Sequence, residues 1–170
     1  APVRVRIRDG DAPELRASSR YNRDEAYVAA HYDLSSDVFA VVVRTGPDGC
    51  LDYRTLVEAD RLGWELQQLP GVRTTVSLAD AVRQITAASF EGNPKWLTLA
   101  RNQKVLDSAG LQASTRNPDL FDASCSVMPV VAYLSDHRAA TLDRVVGVAE
   151  EFARRHGDAE RAFLLAAGSA

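Results

Sequence analysis

The sequence predicts an α+β domain of the ferredoxin-like, split βαβ type, in which a four-stranded antiparallel sheet carries helices on one face. Two observations lead to this prediction. A strand-helix-strand pattern runs from Asp37 to Leu78, and the same order recurs from Val127 to Ala167. The two patterns are separated by residues 79–126, which are less regular. We therefore expect two βαβ halves with an insertion between them.

The first half starts with an apolar strand, Val38 to Val43, as expected of a strand near the centre of a sheet. An amphipathic helix is predicted from Asp52 to Leu69, and a Pro70-Gly71 turn leads to a second strand, Val72 to Leu78. The apolar residues of this helix recur every three or four positions, at Leu56, Ala59, Leu62, Leu66 and Leu69. That spacing places them along one face, which should lie on the sheet.

The second half repeats the pattern. A helix is predicted after Asp136, which can cap its first turn, and Gly157 is expected to end it. Its apolar face is formed by Leu142, Val145, Val146, Ala149 and Phe152. Positive charge at Arg154, Arg155 and His156 suits the C-terminal end of a helix dipole. The final strand contains Phe163 to Ala167.

We divide the chain into a lead-in, residues 1–36, and a ferredoxin-like domain, residues 37–170, with a helical insertion at 79–126. In the lead-in, Val3, Val5 and Ile7 alternate with arginines as in an exposed strand, and Arg23 to His31 is a candidate helix. Within the insertion we expect helices at Ala79 to Phe90 and Lys95 to Ala109, and a turn at Asn117-Pro118.

The two cysteines predict a disulfide. Cys50 follows the first strand and Cys125 precedes the third, and in a ferredoxin-like sheet these strands are antiparallel neighbours at the centre. The end of one strand then meets the start of the other, which allows the Cα separation that a disulfide needs. A bond would indicate an oxidising compartment, whereas two free thiols in a cytosolic protein are the alternative.

Composition excludes several classes of function. The net charge is −3, and the 20 Lys and Arg residues form no basic block, so we expect no nucleic-acid partner. No apolar run approaches the roughly 20 residues that cross a bilayer, which predicts a soluble polypeptide. The common metal, nucleotide and nucleophile motifs are absent from the sequence. We therefore expect no enzyme, no cofactor and no metal site.

Other polar candidates have simpler explanations. His31, His137 and His156 lie in different segments, and we expect them to be structural or on the surface. The run Ser135-Asp136-His137 contains the residue types of a catalytic triad, but three consecutive residues at a helix start favour capping. Asp119 and Asp122 have the spacing of metal ligands, yet a solvated loop is favoured without further oxygen ligands.

Several short segments resemble the first periplasmic loop of RND-superfamily exporters, in the branch of MmpL-like and hopanoid-type transporters. They are Tyr21-Asn22-Arg23-Asp24-Glu25 through the strand Asp37 to Val43, Leu69-Pro70-Gly71-Val72, Gly92-Asn93-Pro94-Lys95-Trp96 with Arg101-Asn102-Gln103, Asp136-His137-Arg138 before Thr141-Leu142, and the closing Phe163 to Gly168. Together these segments span most of the chain from Tyr21 onward.

The resemblance implies a periplasmic, porter-type domain of a proton-driven exporter, on the periplasmic side of the bacterial inner membrane. Proton-coupling residues of that family lie in membrane helices, so none is assigned to this chain. The implied partners are the other porter subdomains and the transmembrane helices of the same parent chain, with a homo-oligomer as a further option. The implied substrate is hydrophobic or lipid-like. Separately, we expect this segment to be an excised piece, because Ala1 stands in place of an initiator Met and the chain stops just after an apolar strand; ordinary Met removal with a short tail is the alternative.

Such a substrate path needs apolar surface. The candidates are Phe90, Trp96, Leu97, Leu99 and Phe121. The alternative is that these residues pin the insertion onto the sheet, and Trp64 on the first long helix is expected to be a packing residue. Two other functions stay open: a free-standing, ligand-binding regulatory module, and a small enzyme whose carboxylates or histidines converge in one cleft.

Overall fold

The fold is built around one antiparallel sheet. The structure is a computed structural model, and it describes residues 37–167 together with Arg20. Its strands are β1 (Val38–Thr45), β2 (Val72–Ser77), β3 (Val127–Leu134) and β4 (Arg161–Ala167). The strand order is β2-β3-β1-β4, and each neighbouring pair is antiparallel. The fold is therefore α+β with an open four-stranded sheet, and β1 and β3 lie at its centre as the sequence predicts.

Four α-helices accompany the sheet in the described part of the chain: α1 (Tyr53–Gln67), α2 (Leu78–Ser89), α3 (Gln103–Arg116) and α4 (Ala139–His156). Short 3₁₀ turns occupy Gly49–Leu51, Pro94–Trp96 and Pro118–Leu120. The helices α1 and α4 connect β1 to β2 and β3 to β4, whereas α2 and α3 form the insertion between the two halves.

The core lies between one face of the sheet and the helices. Side chains alternate along the central strands, so that Phe39, Val41 and Val43 of β1 face the core together with Met128 and Val130 of β3. All of them are completely or almost completely buried. Buried residues of all four helices belong to the same apolar cluster, and they are led by Leu56, Leu62, Val82, Leu106 and Phe152.

Ion pairs join the helices side by side. Arg83 of α2 lies 2.6 Å from Asp60 of α1, and Arg155 of α4 lies 3.0 Å from Glu65 of α1. The helix α1 therefore lies between α2 and α4. The helix α3 packs against α2 and against the 3₁₀ turn that precedes α1. Because these pairs are partly exposed, we assign them a role in helix orientation more than in stability.

The insertion differs from the prediction in one helix. Residues 95–109 were expected to form a helix, but Pro94–Trp96 is a single 3₁₀ turn and α3 begins only at Gln103. The Asn102 side chain accepts a hydrogen bond from the Lys104 N–H and so starts the helix there, and α3 then continues to Arg116. The prediction of a helix at 79–90 is confirmed as α2, which begins at Leu78. Ser77 is the last residue of β2 and also the N-cap of this helix, since its hydroxyl accepts a hydrogen bond from the Asp80 N–H.

Two further expectations are corrected. Asp136 is not the N-cap of α4, because that position is Arg138. The Asp136 carboxylate instead accepts hydrogen bonds from the Arg138 N–H (3.1 Å) and the Thr141 hydroxyl (2.7 Å), so it braces the turn before the helix. Gly157 does end α4 as predicted, with its N–H bonded to the Ala153 carbonyl.

Trp64 is not a packing residue, since its relative exposure is 64% and it points away from the core face of α1. The predicted strand at Val3 to Ile7 and the predicted helix at Arg23 to His31 lie outside the described residues, as does His31 itself.

Candidate functional site

An aromatic pair marks the tip of the insertion. Phe90 follows the last residue of α2, and the chain then turns sharply through Glu91 and Gly92, which both have positive φ angles. The Asn93 side chain accepts a hydrogen bond from the Lys95 N–H and so starts the next 3₁₀ turn. This turn brings the Trp96 ring onto the Phe90 ring, with 4.1 Å between the centroids and 16° between the planes.

The stacked rings and Leu97 are all exposed, and Leu97 has a relative exposure of 55%. We call these three residues, Phe90, Trp96 and Leu97, the aromatic patch. Leu99 and Phe121 behave differently, because both are partly buried and pack against the apolar core. The five predicted residues therefore divide into an exposed group of three and a packing group of two.

The backbone around the aromatic patch is held by local hydrogen bonds. The Gly92 N–H donates to the Ala87 carbonyl (2.9 Å), and the Asn93 N–H donates to the Phe90 carbonyl (3.1 Å). The Leu97 N–H donates to the Pro94 carbonyl (3.1 Å). The patch thus presents apolar surface from a backbone that is already ordered, which lowers the entropic cost of binding a ligand there.

A disulfide joins Cys50 and Cys125, as strand adjacency predicts. Their Cα atoms are 5.1 Å apart, and both residues are buried. The Cys50 N–H donates to the Cys125 carbonyl (2.9 Å), and the Thr45 N–H donates to the Ser126 carbonyl (2.8 Å). The bond therefore lies beside the end of the β1–β3 pairing and continues it covalently.

The loop before Cys125 is organised by one carboxylate. Asp122 accepts hydrogen bonds from the Ser126 N–H and the Val127 N–H, both at 2.7 Å, and from the hydroxyls of Ser124 and Ser126. These bonds, that from the Ser124 hydroxyl first, hold the pKa of the Asp122 carboxyl far below its ordinary value. Both oxygens of Asp122 are thus used within the loop, while Asp119 lies exposed on a 3₁₀ turn.

The histidines are placed against carboxylates on other elements. His137 Nδ1 lies 3.1 Å from Asp37 at the start of β1, and His156 Nδ1 lies 2.8 Å from Glu58 of α1. The His156 ring also stacks on Phe152, with centroids 4.2 Å apart. The three residues of Ser135-Asp136-His137 do not converge, since Asp136 binds Thr141 and His137 binds Asp37.

One cleft was not expected from the sequence. It has a volume of about 350 Å³ and lies between α1, α2 and β2, where it is lined by Asp60, Trp64, Thr75, Asp80 and Arg83 among others. Arg83 bridges the carboxylates of Asp60 (2.6 Å) and Asp80 (2.5 Å), and burial raises the pKa of the Asp60 carboxyl. The only sequence signal was the spacing of Asp60 and Trp64 by one helical turn.

A larger cleft, of about 520 Å³, lies at the ends of β1 and β4. Its lining mixes both signs of charge, since it includes Arg44, Arg54 and Arg161 as well as Asp52 and Glu160. Arg161 already pairs with Asp158 at 2.9 Å. Among residues 37–167 there is also no group of three or more His, Cys, Asp or Glu side chains placed to hold a metal ion.

Comparison with known proteins yields no similarity: no family model matches the sequence, and neither a curated protein nor a solved structure is found to resemble it. Within the described part of the chain, no helix combines the length and the apolar character that crossing a bilayer requires.

Proposed function

We propose that this chain is a periplasmic, porter-type domain of a proton-driven RND-type exporter. In this proposal it forms part of the path of a hydrophobic or lipid-like substrate and catalyses no reaction itself. The order β2-β3-β1-β4, with one helix crossing over in each half, is the arrangement expected of a ferredoxin-like domain. Fold alone does not give function, so the argument rests on surface chemistry.

The observation that carries the proposal is the exposed aromatic patch. Phe90 and Trp96 stack on each other and leave their outer surfaces, with Leu97, in contact with water. Removing such surface from water favours binding by roughly 25 cal/mol per Å², and an acyl chain can cover it without any polar partner. A lipid-like substrate therefore suits this patch better than a polar one.

The disulfide supports the compartment that the proposal requires. Disulfides persist in the bacterial periplasm and in secreted proteins, whereas cytosolic thiols are kept reduced. The Cys50–Cys125 bond is buried and flanked by backbone hydrogen bonds on both sides, so it is integrated into the fold. A periplasmic location is consistent with these features.

The chain has two tryptophans, which provides a direct binding test with an internal control. The Trp64→Phe variant leaves Trp96 as the only reporter in the aromatic patch, and Trp96→Phe leaves Trp64 on α1. Each variant is titrated with dodecanoic acid below its micelle-forming concentration. We expect a saturable blue shift from Trp96 and no shift from Trp64.

A matched pair of leucines tests the patch itself. Leu97→Ala should weaken dodecanoate binding by about threefold to tenfold, because it removes part of the apolar contact. Leu111→Ala removes a leucine of 71% exposure on α3, outside the patch, and should leave binding unchanged. Equal responses of the two tryptophans, or equal effects of the two leucines, would argue against a substrate path at this patch.

The exporter assignment has a separate test in the gene. Apolar helices of roughly 20 residues should flank this segment in the uninterrupted reading frame. A frame that begins and ends with the domain would instead support the alternative, a free-standing ligand-binding module of the same fold.

That alternative has one observation in its favour, the cleft that contains Asp60, Trp64 and Arg83. Its volume lies within the range of small-molecule sites. A saturable change of Trp64 emission with a small polar ligand in the Trp96→Phe variant would favour the module over the exporter domain, if Trp96 in the Trp64→Phe variant also gave no response to dodecanoate.

A further inference from the structure

The second face of the sheet is apolar as well. Side chains on this face come from alternate positions of each strand, and the pairings Ala40↔Val131, Val42↔Pro129, Val42↔Leu164 and Val76↔Val131 place them in rows across it. We call this surface the open sheet face, formed by Val38, Ala40, Val42, Val76, Val127, Pro129, Val131, Tyr133 and Leu164. The face also carries two polar residues, Thr74 of β2, which pairs with Tyr133, and Arg44 at the far end of β1.

The helices do not account for this composition. Buried residues of all four helices cluster with the side chains on the other face of β1 and β3, which is the face that the helices cover. The residues of the open sheet face are partly or largely exposed, and Leu164 has a relative exposure of 43%. Antiparallel sheets with one solvated face normally carry polar residues there, and a contiguous apolar surface indicates a covering partner.

The position at which the chain enters the sheet suggests the partner. Asp37 leads directly into β1, a central strand, and its carbonyl accepts a hydrogen bond from the Leu134 N–H at 2.8 Å. Residues 1–36 precede it, and only Ser35 and Ser36 separate Leu34 from this point. The chain therefore enters the domain at a central strand, β1, whose alternate side chains belong to the open sheet face.

The length of this stretch fits the surface. An eight-residue strand such as β1 is about 27 Å long. The stretch from Tyr21 to Leu34 spans about 21 Å as a helix and about 46 Å fully extended. A helix of this length would match most of the length of the strand, and an extended segment would exceed it.

The composition of this stretch also fits. Three of the five tyrosines of the chain, Tyr21, Tyr27 and Tyr32, lie in it, together with Val28 and Leu34. A tyrosine ring can pack on an apolar surface while its hydroxyl stays in water. Such residues suit a segment that lies on a sheet and is itself exposed on its outer side.

We propose that residues 21–34 of this chain cover the open sheet face and form the third layer of the domain. The proposal is independent of the exporter assignment, because it concerns contacts within one chain. It predicts that the apolar rows around Val42, Val131 and Leu164 contact the tyrosine-rich stretch and not a second copy.

Photo-crosslinking in the full chain tests this arrangement. The photoreactive residue p-benzoylphenylalanine replaces Leu164 on the open sheet face or, as a control, Leu111 on α3, which is also exposed. At low protein concentration, position 164 should crosslink to peptides from residues 21–34 of the same chain, and position 111 should not. Crosslinks from position 164 to a second copy, to other peptides or to none would overturn the proposal.

A double substitution provides a second measurement. Tyr27→Ser combined with Tyr32→Ser in the full chain should uncover the open sheet face and raise the fluorescence of 8-anilinonaphthalene-1-sulfonate several-fold, with the far-UV circular dichroism of the sheet retained. Leu111→Ser is the control for a surface substitution elsewhere. Unchanged dye fluorescence in the double variant would contradict the proposal.

Discussion

Gly71 shows how a single residue sets the path between α1 and β2. Its φ is +96°, and a Cβ atom at this position would lie 2.7 Å from Cγ2 of Thr141. Its carbonyl also accepts a hydrogen bond from the Ser135 N–H at 2.8 Å. We expect Gly71→Ala to lower the free energy of unfolding by about 1–2 kcal/mol or more, because the new side chain is strained and crowded. Urea denaturation measures the change.

Gly147 is the matched control on α4. It is exposed within the helix, and a Cβ atom would meet nothing within 4 Å. Gly147→Ala should raise the free energy of unfolding by about 0.5–1 kcal/mol, since alanine loses less backbone entropy in a helix. If both substitutions shifted the urea midpoint in the same direction, the backbone geometry assigned to Gly71 would be wrong.

Asp122 gives a prediction about pH. Its folded-state pKa lies below the ordinary value of 3.8, so its contribution to stability is fully present above that value. The contribution is lost as the pH falls through the lowered pKa, when the carboxylate that organises the loop becomes protonated. We expect the melting temperature of the native chain to fall below about pH 4, in part through this group.

The Asp122→Asn variant should melt at a lower temperature at neutral pH, because an amide has one acceptor oxygen where the carboxylate has two. It should also lose part of the acid dependence below about pH 4. Asp119→Asn is the control, because it removes a charge from the neighbouring 3₁₀ turn and leaves the hydrogen bonds of Asp122 intact. It should keep the acid dependence of the native chain. An identical acid profile in Asp122→Asn and the native chain would contradict the role assigned to this carboxylate.

At the scale of elements, the start of α3 is set by Asn102. The sequence around Lys95 suits a helix by composition, but Pro94, the 3₁₀ turn and the cap at Asn102 delay the helix by several residues. Asn102→Ala should lower the free energy of unfolding by about 1 kcal/mol, because the Lys104 N–H loses its acceptor. Thermal denaturation measures this, with Ser108→Ala at an exposed position of the same helix as the control.

Periodicity predicted the long elements and failed at side chains whose surroundings depend on other elements. The strands β1 and β3 and the helices α1 and α4 follow from apolar spacing, which is a local property of the chain. Trp64 was expected to be a packing residue, but it lies outside the stripe of Leu56, Ala59, Leu62 and Leu66 that faces the sheet. The separation of Leu99 and Phe121 from the aromatic patch likewise depends on tertiary packing.

At the scale of the whole molecule, the central pairing of β1 and β3 was predictable because two βαβ halves leave few ways to interleave their strands. The disulfide followed from that adjacency. The cleft between Asp60, Asp80 and Arg83 was not predictable, since its residues come from α1 and α2, whose relative position depends on the insertion. Charged pairs between elements have no periodic signal in the sequence.

Reduction of the disulfide should destabilise the whole domain. Cys50 and Cys125 are separated by 75 residues, and the loop-entropy model gives about 4 kcal/mol for a closure of this length, with measured values often lower. We expect the urea midpoint to fall in the presence of dithiothreitol and in a Cys50→Ser, Cys125→Ser double variant. The double variant should show no further change with the reductant. An unchanged midpoint in both would show that the fold does not depend on the bond.

The same bond has a consequence for proteolysis. It encloses α1, β2, α2 and α3 in one covalent ring, from Cys50 to Cys125. A protease that cuts the backbone once near the exposed turn at Glu91 and Gly92 therefore opens the ring without releasing a fragment. The nicked protein should migrate as one species on a gel without reductant and as two pieces with it.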